Sequence, residues 1–182
     1  MKTKVKAKIM DELGLERTLN RLTHEILEKN RGVDNIVILG MRTRGAYIAD
    51  RIHKKIIELE KKDVPIGYLD VTFYRDDFRI RLKQPEIQVT KIPCDIDNRD
   101  IILIDDVLYT GRTVRAAMDA IMDFGRPSSI QLVILIDRGH RELPIKANIV
   151  GKYVITSIGE EIRVKMREID DEDAVYLVEI SD

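Results

Sequence analysis

Two adjacent carboxylates, Asp105 and Asp106, end an unbroken apolar run, Ile101-Ile102-Leu103-Ile104, and are followed by Val107-Leu108-Tyr109-Thr110-Gly111-Arg112-Thr113. Such a run reads as a buried strand, and in open α/β sheets ligands gather at the carboxyl ends of strands. A helix opening near Thr113 would present free backbone N–H groups, a ready cradle for phosphate. The hydroxyls of Thr110 and Thr113 add donors, and Gly111 lets the backbone come close. Paired acids accept hydrogen bonds from vicinal hydroxyls while amides hold a phosphate, so the set suits a sugar phosphate. Spacing alone leaves a second reading equally open, in which the acids only cap a helix. Neither the Gly-x-x-x-x-Gly-Lys-Ser/Thr loop nor the Gly-x-Gly-x-x-Gly turn of common nucleotide sites occurs.

A second strand end carries Gly40-Met41-Arg42-Thr43-Arg44-Gly45 after Ile36-Val37-Ile38-Leu39. Two arginines and exposed amides there can neutralise a diphosphate, although arginines at a helix start are often only solvated. The stretch Tyr74-Arg75-Asp76-Asp77 opens a long charged tip, of a length that is usually functional or disordered, with a solvated turn as the plainer reading. On the first helix, Arg17, Asn20, Arg21 and His24 share a face opposite Leu15 and Leu22. Arg138, His140, Arg141, Lys146 and Lys152 offer further donors. Together these can form a basic face for nucleic acid. They can also be ordinary solvated charge, since Glu25 and Glu28 interrupt the helix stripe.

The elements that must position these residues follow from periodicity. Leu15, Leu19, Leu22 and Ile26 fall at helical spacing, which predicts a helix over residues 11–29, capped by Asp11 and stopped by Gly32. Residues 35–39 read as a doubly buried strand, and Ile48, Ile52, Ile56 and Leu59 as a helix over 46–62. Residues 68–74 and 87–92 are strand-like around a polar stretch, 75–86, which predicts a β-hairpin with a long mobile tip. A strand over 101–104, a loop over 105–112 and a helix over 113–124 follow. Strands over 130–136, 162–166 and 175–180 complete the pattern. Buried strands alternating with helices argue for a parallel α/β sheet in one domain spanning 1–182.

Composition bounds the function. The 182 residues carry 31 basic and 32 acidic side chains, which excludes a globally basic nucleic-acid binder but not a local basic face. The single cysteine, Cys94, excludes an internal disulfide framework and a cysteine-based zinc site. The segment Met1 to Lys6 lacks the apolar stretch of a secretory signal, and no apolar run approaches a membrane span. The expectation is a soluble, cytoplasmic protein without a membrane partner.

Residues 101 to 113 match a pattern of four hydrophobic residues, two acids, then Thr-Gly-x-Thr, and so resemble the phosphoribosyl-pyrophosphate (PRPP) signature of the type I phosphoribosyltransferases. The resemblance implies that family's fold: a central, mostly parallel sheet flanked by helices, a small hood built from the N- and C-terminal segments, and a long flexible β-hairpin loop. It implies that Asp105 and Asp106 hold the ribose 2′- and 3′-hydroxyls of PRPP. Val107, Leu108, Tyr109, Thr110, Gly111, Arg112 and Thr113 would wrap the 5-phosphate. Residues 40–45 are similar to the pyrophosphate loop, which often carries a strained peptide bond in the family, with Thr43 and Arg44 as ligands. Arg75 would act from the mobile loop that closes over the reaction centre. The base would sit near Asp137, Arg138 and Ile162.

Within that family, residues 136–146, 109–116 and 125–132 resemble one branch from roughly Leu19 onward. These are the bacterial pyrimidine operon attenuation regulators that are also uracil phosphoribosyltransferases. The resemblance implies conversion of uracil and PRPP to UMP and diphosphate, with Mg²⁺ held mainly by substrate rather than by a dedicated set of protein ligands. It further implies binding of an attenuator stem-loop in pyrimidine operon mRNA when UMP or UTP is bound, which favours transcription termination. Arg21, His24, His140, Arg141, Lys146 and Lys152 would form the RNA surface of a homo-oligomer, dimeric or higher. Asn20 departs from an expected threonine, and residues 153–156 lack an expected proline. Two alternatives stay open: a non-catalytic, nucleotide-sensing RNA-binding regulator, and a purine or orotate phosphoribosyltransferase without an RNA role.

Overall fold

The computed structural model describes residues 2–71 and 91–181. Its elements run β1 (Lys2–Met10), α1 (Glu12–Asn30), β2 (Ile36–Met41), α2 (Arg44–Glu60), β3 (Ile66–Leu69), β4 (Asp100–Leu108) and α3 (Arg112–Met122). There follow β5 (Ser129–Asp137), β6 (Ile149–Tyr153), β7 (Glu160–Lys165), α4 (Arg167–Asp170) and β8 (Ala174–Ser181). Five strands form one sheet in the order β3-β2-β4-β5-β6, and every neighbouring pair is parallel. The strand–helix alternation therefore does give a parallel sheet.

The period of two along each strand explains its two covered faces. Ile36, Ile38, Ile102, Ile104, Val133 and Leu135 face one core with Leu15, Leu19, Leu22 and Ile26 of α1 and Ile48, Ile52 and Ile56 of α2. The intervening residues, Val37, Leu39, Ile101, Leu103, Leu132 and Ile134, face the other core with Val114, Ala117 and Ile121 of α3. The doubly buried strand reading holds for this reason.

The termini build a hood. β1 pairs antiparallel with β8, and β8 with β7, giving a three-stranded sheet β1-β8-β7. Its buried Met10, Ile162, Val164 and Val175 join the α1–α2 core. A strand at β1 was not expected, because its exposed residues Lys4, Lys6 and Lys8 dilute the apolar pattern; charged side chains are normal on a strand at a sheet edge. β6 was hidden for the same reason, as an edge strand with exposed Lys152 and Tyr153.

Local signals act largely as expected. The Asp11 carboxylate accepts from Gly14 N at 2.7 Å and caps α1. Arg31, in the left-handed region at φ 55°, and Gly32, at φ 116°, end the helix by donating to the carbonyls of Glu28 and Leu27. One boundary is corrected. Residues 105–108 are not loop: β4 continues through Leu108 because β5 runs on beside it, pairing Asp105 with Ile134 and Leu108 with Asp137. Of the strand expected over 68–74, residues 68–69 end β3, which starts earlier, at Ile66, and extends the central sheet beside β2, while 72–74 lie outside the described residues; Tyr68 bridges antiparallel to Lys91. The charged tip with Arg75 lies outside the described residues. Among the described residues, no helix is long and apolar enough to cross a membrane.

Candidate active site

The acid pair sits at the carboxyl end of the central strand β4. Asp105 is buried, and its Oδ1 accepts from Asp106 N at 2.9 Å; Asp106 Oδ1 accepts from Val107 N at 2.8 Å. Burial pushes the Asp106 carboxyl above the usual carboxylate range, against the opposing pull of Asp105, the Val107 N–H and the Arg44 charge. An acid held this way is poised to gain when a hydroxyl donor or a cation arrives.

Beyond the acids the chain turns into α3. Gly111 takes φ 92°, a left-handed conformation open to glycine, and the Thr110 hydroxyl accepts from Arg112 N at 3.3 Å. The turn is fastened from outside by the segment after β5. The carbonyl of Leu108 accepts from Arg138 N at 3.1 Å, and that of Thr110 accepts from Glu142 N and Leu143 N at 3.0 and 3.1 Å. These bonds hold the turn from outside α3, whose first N–H groups lack intrahelical acceptors and suit an anion, with Arg112 N already drawn on by the Thr110 hydroxyl.

The second loop rises from β2. Its Arg42–Thr43 peptide bond is cis. Gly45 is required here by close approach: a Cβ would stand 2.8 Å from the Ile104 carbonyl oxygen and 3.0 Å from Asp105 Oδ1. The start of α2 therefore lies directly against the acid strand. Arg42 stacks over the Tyr68 ring at 5.8 Å, and the Tyr68 hydroxyl donates to Asp50. Burial and that hydrogen bond push the Tyr68 phenol up to about 12. Arg44 Nη2 reaches both carboxylate oxygens of Asp170 at 3.1 Å, while its buried Nε has no hydrogen-bond partner among the described residues.

Asp137 and Arg138 close a third side. Asp137 accepts from Gly139 N at 3.0 Å and pairs with Arg141. Arg138 lies 4.0 Å over the Tyr109 ring and donates to the Thr156 hydroxyl at 3.0 Å and the Glu160 carbonyl at 2.6 Å.

A cavity of about 400 Å³ joins these parts. Of the expected residues, Arg44, Asp106, Val107, Tyr109, Arg138 and Ile162 line it together. Thr43 instead lines a separate cavity of about 260 Å³ with Arg42 and Tyr68. Leu108 is 1% exposed with its side chain in the core, so only its backbone can serve a ligand. Sequence reasoning missed Glu161, Arg163, Val164 and Lys165, the neighbours of Ile162 on β7 that also line the cavity. The signal was present: a charged residue on each side of Ile162 in an alternating strand.

The expected RNA residues fall into two groups. Arg21 pairs with Glu25 at 2.6 Å and donates to the Gly151 carbonyl of β6, while Lys152, on β6, donates to the Ile9 carbonyl at 3.3 Å; His24 is exposed one turn after Arg21 on α1. His140 Nε2 donates to the Thr156 carbonyl at 2.6 Å, and its ring meets Tyr109 edge-on at 6.1 Å. Arg141 turns inward, and Lys146 is exposed. Among the described residues, no group of three or more His, Cys, Asp or Glu side chains converges on a cation.

Comparison with known proteins now bears on this geometry. The phosphoribosyl transferase domain matches residues 7–168. Over 177 residues the chain is 50% identical to the Bifunctional protein PyrR of Pelotomaculum thermopropionicum, covering 97% of this chain and 98% of that one. The chain belongs to the PyrR family of phosphoribosyltransferases. A second PyrR, from Bacillus cereus, is 52% identical over 174 residues, covering 94% of this chain and 97% of that one. Among solved structures, a hypoxanthine-guanine phosphoribosyltransferase from Bacillus anthracis superposes with a TM-score of 0.70 at 18% identity, covering 97% of this chain and 99% of that one. The hypoxanthine phosphoribosyltransferase of Trypanosoma cruzi gives 0.71 at 13% identity, covering 97% and 98%. These two carry the fold of the PyrR-family chain, not its substrate.

Proposed function

We propose that this chain, acting as one domain over residues 1–182 in the cytoplasm, is a bifunctional regulator. It transfers phosphoribosyl from PRPP to uracil, forming UMP and diphosphate, and binds pyrimidine operon mRNA when UMP or UTP fills the same site. The observation that carries the reading is the single cavity in which Arg44, Asp106, Tyr109, Arg138 and Ile162 meet, together with roughly half-identity to proteins named bifunctional PyrR.

The chain's groups divide the work. Asp105 and Asp106 accept hydrogen bonds from the ribose diol and fix the sugar in register. The amides and hydroxyls over residues 109–113 hold the 5-phosphate at the start of α3. Arg44 offers a planar cation to the diphosphate, and Arg75, outside the described residues, would offer a second. Uracil lies against the backbone of Arg138 and the side of Ile162, below Asp137. The bond from the anomeric carbon to diphosphate breaks and one to uracil N1 forms, with release of the N1 proton. Developing positive charge on the sugar is balanced by fixed acids and a stabilised leaving group, so no protein nucleophile is required. The hard oxygen donors of the acid pair suit a Mg²⁺ ion arriving with PRPP, which when bound neutralises diphosphate charge and orders its oxygens. In the homo-oligomer, Arg21, His24, His140, Arg141, Lys146 and Lys152 face RNA.

The test has two arms. Uracil-dependent release of diphosphate from PRPP is expected, with little or no turnover of purines or orotate. A gel shift with pyrimidine operon leader RNA is expected to strengthen when UMP is added and to weaken with salt. Absence of the first with the second intact would leave a nucleotide-sensing RNA binder that does not catalyse.

A further inference from the structure

Asp170 lies in the hood, on the short turn after β7, and lines no part of the active-site cavity. Its carboxylate nevertheless meets two cations that do. Arg44 Nη2 stands 3.1 Å from both of its oxygens, and Lys165 Nζ stands 3.1 Å from Oδ1. Met166 N donates to Oδ2 at 3.0 Å, and Asp170 N returns a bond to the Met166 carbonyl at 2.8 Å, which fixes the acid on its own turn. The Asp170 side chain is 10% exposed, so these contacts are sheltered from water. Burial alone would raise the Asp170 carboxyl, but the Met166 N–H, Arg44 and Lys165 outweigh it and hold the acid ionised.

Arg44 is thus anchored at one end only. One terminal nitrogen is taken by Asp170, while the buried Nε–H has no partner among the described residues. An arginine side chain loses considerable rotamer freedom on ordering, and a buried donor without an acceptor adds to the cost of holding it there. An anion fixed behind the guanidinium meets the ordering cost before substrate binds.

We propose that Asp170 is a positioning residue for the diphosphate half of PRPP, holding Arg44 and Lys165 at the cavity wall so that both face the leaving group. This rests on the reading of residues 40–45 as the diphosphate loop. The hood then does more than cover the base: its turn sets the charge geometry of a loop on the other sheet. UMP carries no diphosphate, so the device should distinguish substrate from product.

The experiment measures KM for PRPP and uracil in the forward reaction, KM for diphosphate in the reverse reaction, and UMP affinity by calorimetry. Asp170→Asn should raise KM for PRPP and for diphosphate about tenfold, the effect of about one charge-assisted hydrogen bond, and leave KM for uracil and UMP affinity within about twofold. Asp170→Glu, which keeps the charge, should recover part of the loss. Arg44→Ala should weaken PRPP, and adding Asp170→Asn to it should cost little more, because the two act as one unit. Glu168→Gln, which loosens the neighbouring hood contact to Arg51, should leave KM for PRPP unchanged. The proposal is overturned if Asp170→Asn weakens UMP as much as PRPP, or if Glu168→Gln reproduces its effect, since either means only that the hood has loosened. If Arg44→Ala leaves KM for PRPP unchanged, the diphosphate-loop reading itself has failed. Full additivity of the double variant would sink the positioning role alone.

Discussion

Arg141 Nη1 donates to the backbone carbonyl of Tyr109 at 2.7 Å, so a residue expected to face RNA holds the loop expected to face phosphate. The same guanidinium pairs with Asp137 and reaches the carbonyls of Gly139 and Ile145 at 3.1 and 3.0 Å. Replacing it therefore touches both activities. Arg141→Gln should lower RNA affinity and also raise KM for PRPP several-fold, because the Tyr109 carbonyl loses its charged donor. Parallel gel-shift and kinetic measurements check this; a loss in RNA binding with wild-type PRPP kinetics would mean that the loop holds itself.

The acid pair separates stability from function. Burial raises the Asp106 carboxyl, so its charged form is disfavoured in the folded chain. For an acid raised on folding, the unfolded chain releases its proton first, and stability falls as pH rises from the ordinary value near 3.8 through the raised folded value. Asp106→Asn removes that burden and keeps an acceptor for the Val107 N–H. It should raise Tm by a few degrees while reducing turnover about a hundredfold, a trade expected at a site built for charge. Differential scanning calorimetry beside a diphosphate-release assay decides it. The double variant Asp105→Asn/Asp106→Asn at near-normal rate would contradict the assignment of both acids.

What could be read from the chain beforehand tracks how local the physics is. The acid pair, the Thr110–Thr113 turn and the α1 cap depend on residues within a few positions of each other, and each is found where spacing put it. The strand extension through Leu108 depends on a partner strand some thirty residues away, and so escaped notice. β1 and β6 lie at sheet edges, where exposed charge erases the apolar alternation. The bond from Arg44 to Asp170 joins the second strand end to the hood across 126 positions, and no periodicity reports such a contact.

A dense ionic contact ties the hood to α2. Arg51 of α2 gives Glu168 two hydrogen bonds at 2.9 and 2.7 Å and Asp173 two more at 3.0 and 2.7 Å. The Arg51 hydrogen bond holds Glu168 below its ordinary value despite partial burial; at Asp173, burial pushes up, but Arg51 and the Arg167 N–H prevail. Carboxyls lowered on folding add stability that is fully present above their unfolded values, 4.5 and 3.8 here, and is lost as pH falls toward the folded ones. Arg51→Ala should cost about 1–2 kcal/mol at neutral pH, since it leaves the half-buried Asp173 short of its cation. As pH falls below 3.8 toward the lowered folded values, the gap between variant and parent should narrow, because the parent's contact is lost as its acids take up protons. Urea unfolding at pH 7 and at pH 3.5 measures the difference; an unchanged gap at the lower pH would show that packing, not charge, carries the contact.

RNA affinity should carry the mark of phosphate contacts. Lys146, in the segment leading into β6, and His24, on α1, are exposed and line no part of the nucleotide cavity. Each phosphate neutralised releases condensed counterions, so the logarithm of affinity falls linearly with that of salt. Lys146→Ala should weaken RNA binding about equally for matched and scrambled loop sequences and flatten the salt slope by about one unit. His24→Ala should do likewise. Sequence preference should survive both changes, because it comes from unpaired loop bases rather than from the closed groove of an A-form stem. Salt-titrated binding to wild-type and scrambled stem-loops, with UMP saturating, measures all three; an unchanged slope for Lys146→Ala would remove this side of β6 from the RNA surface.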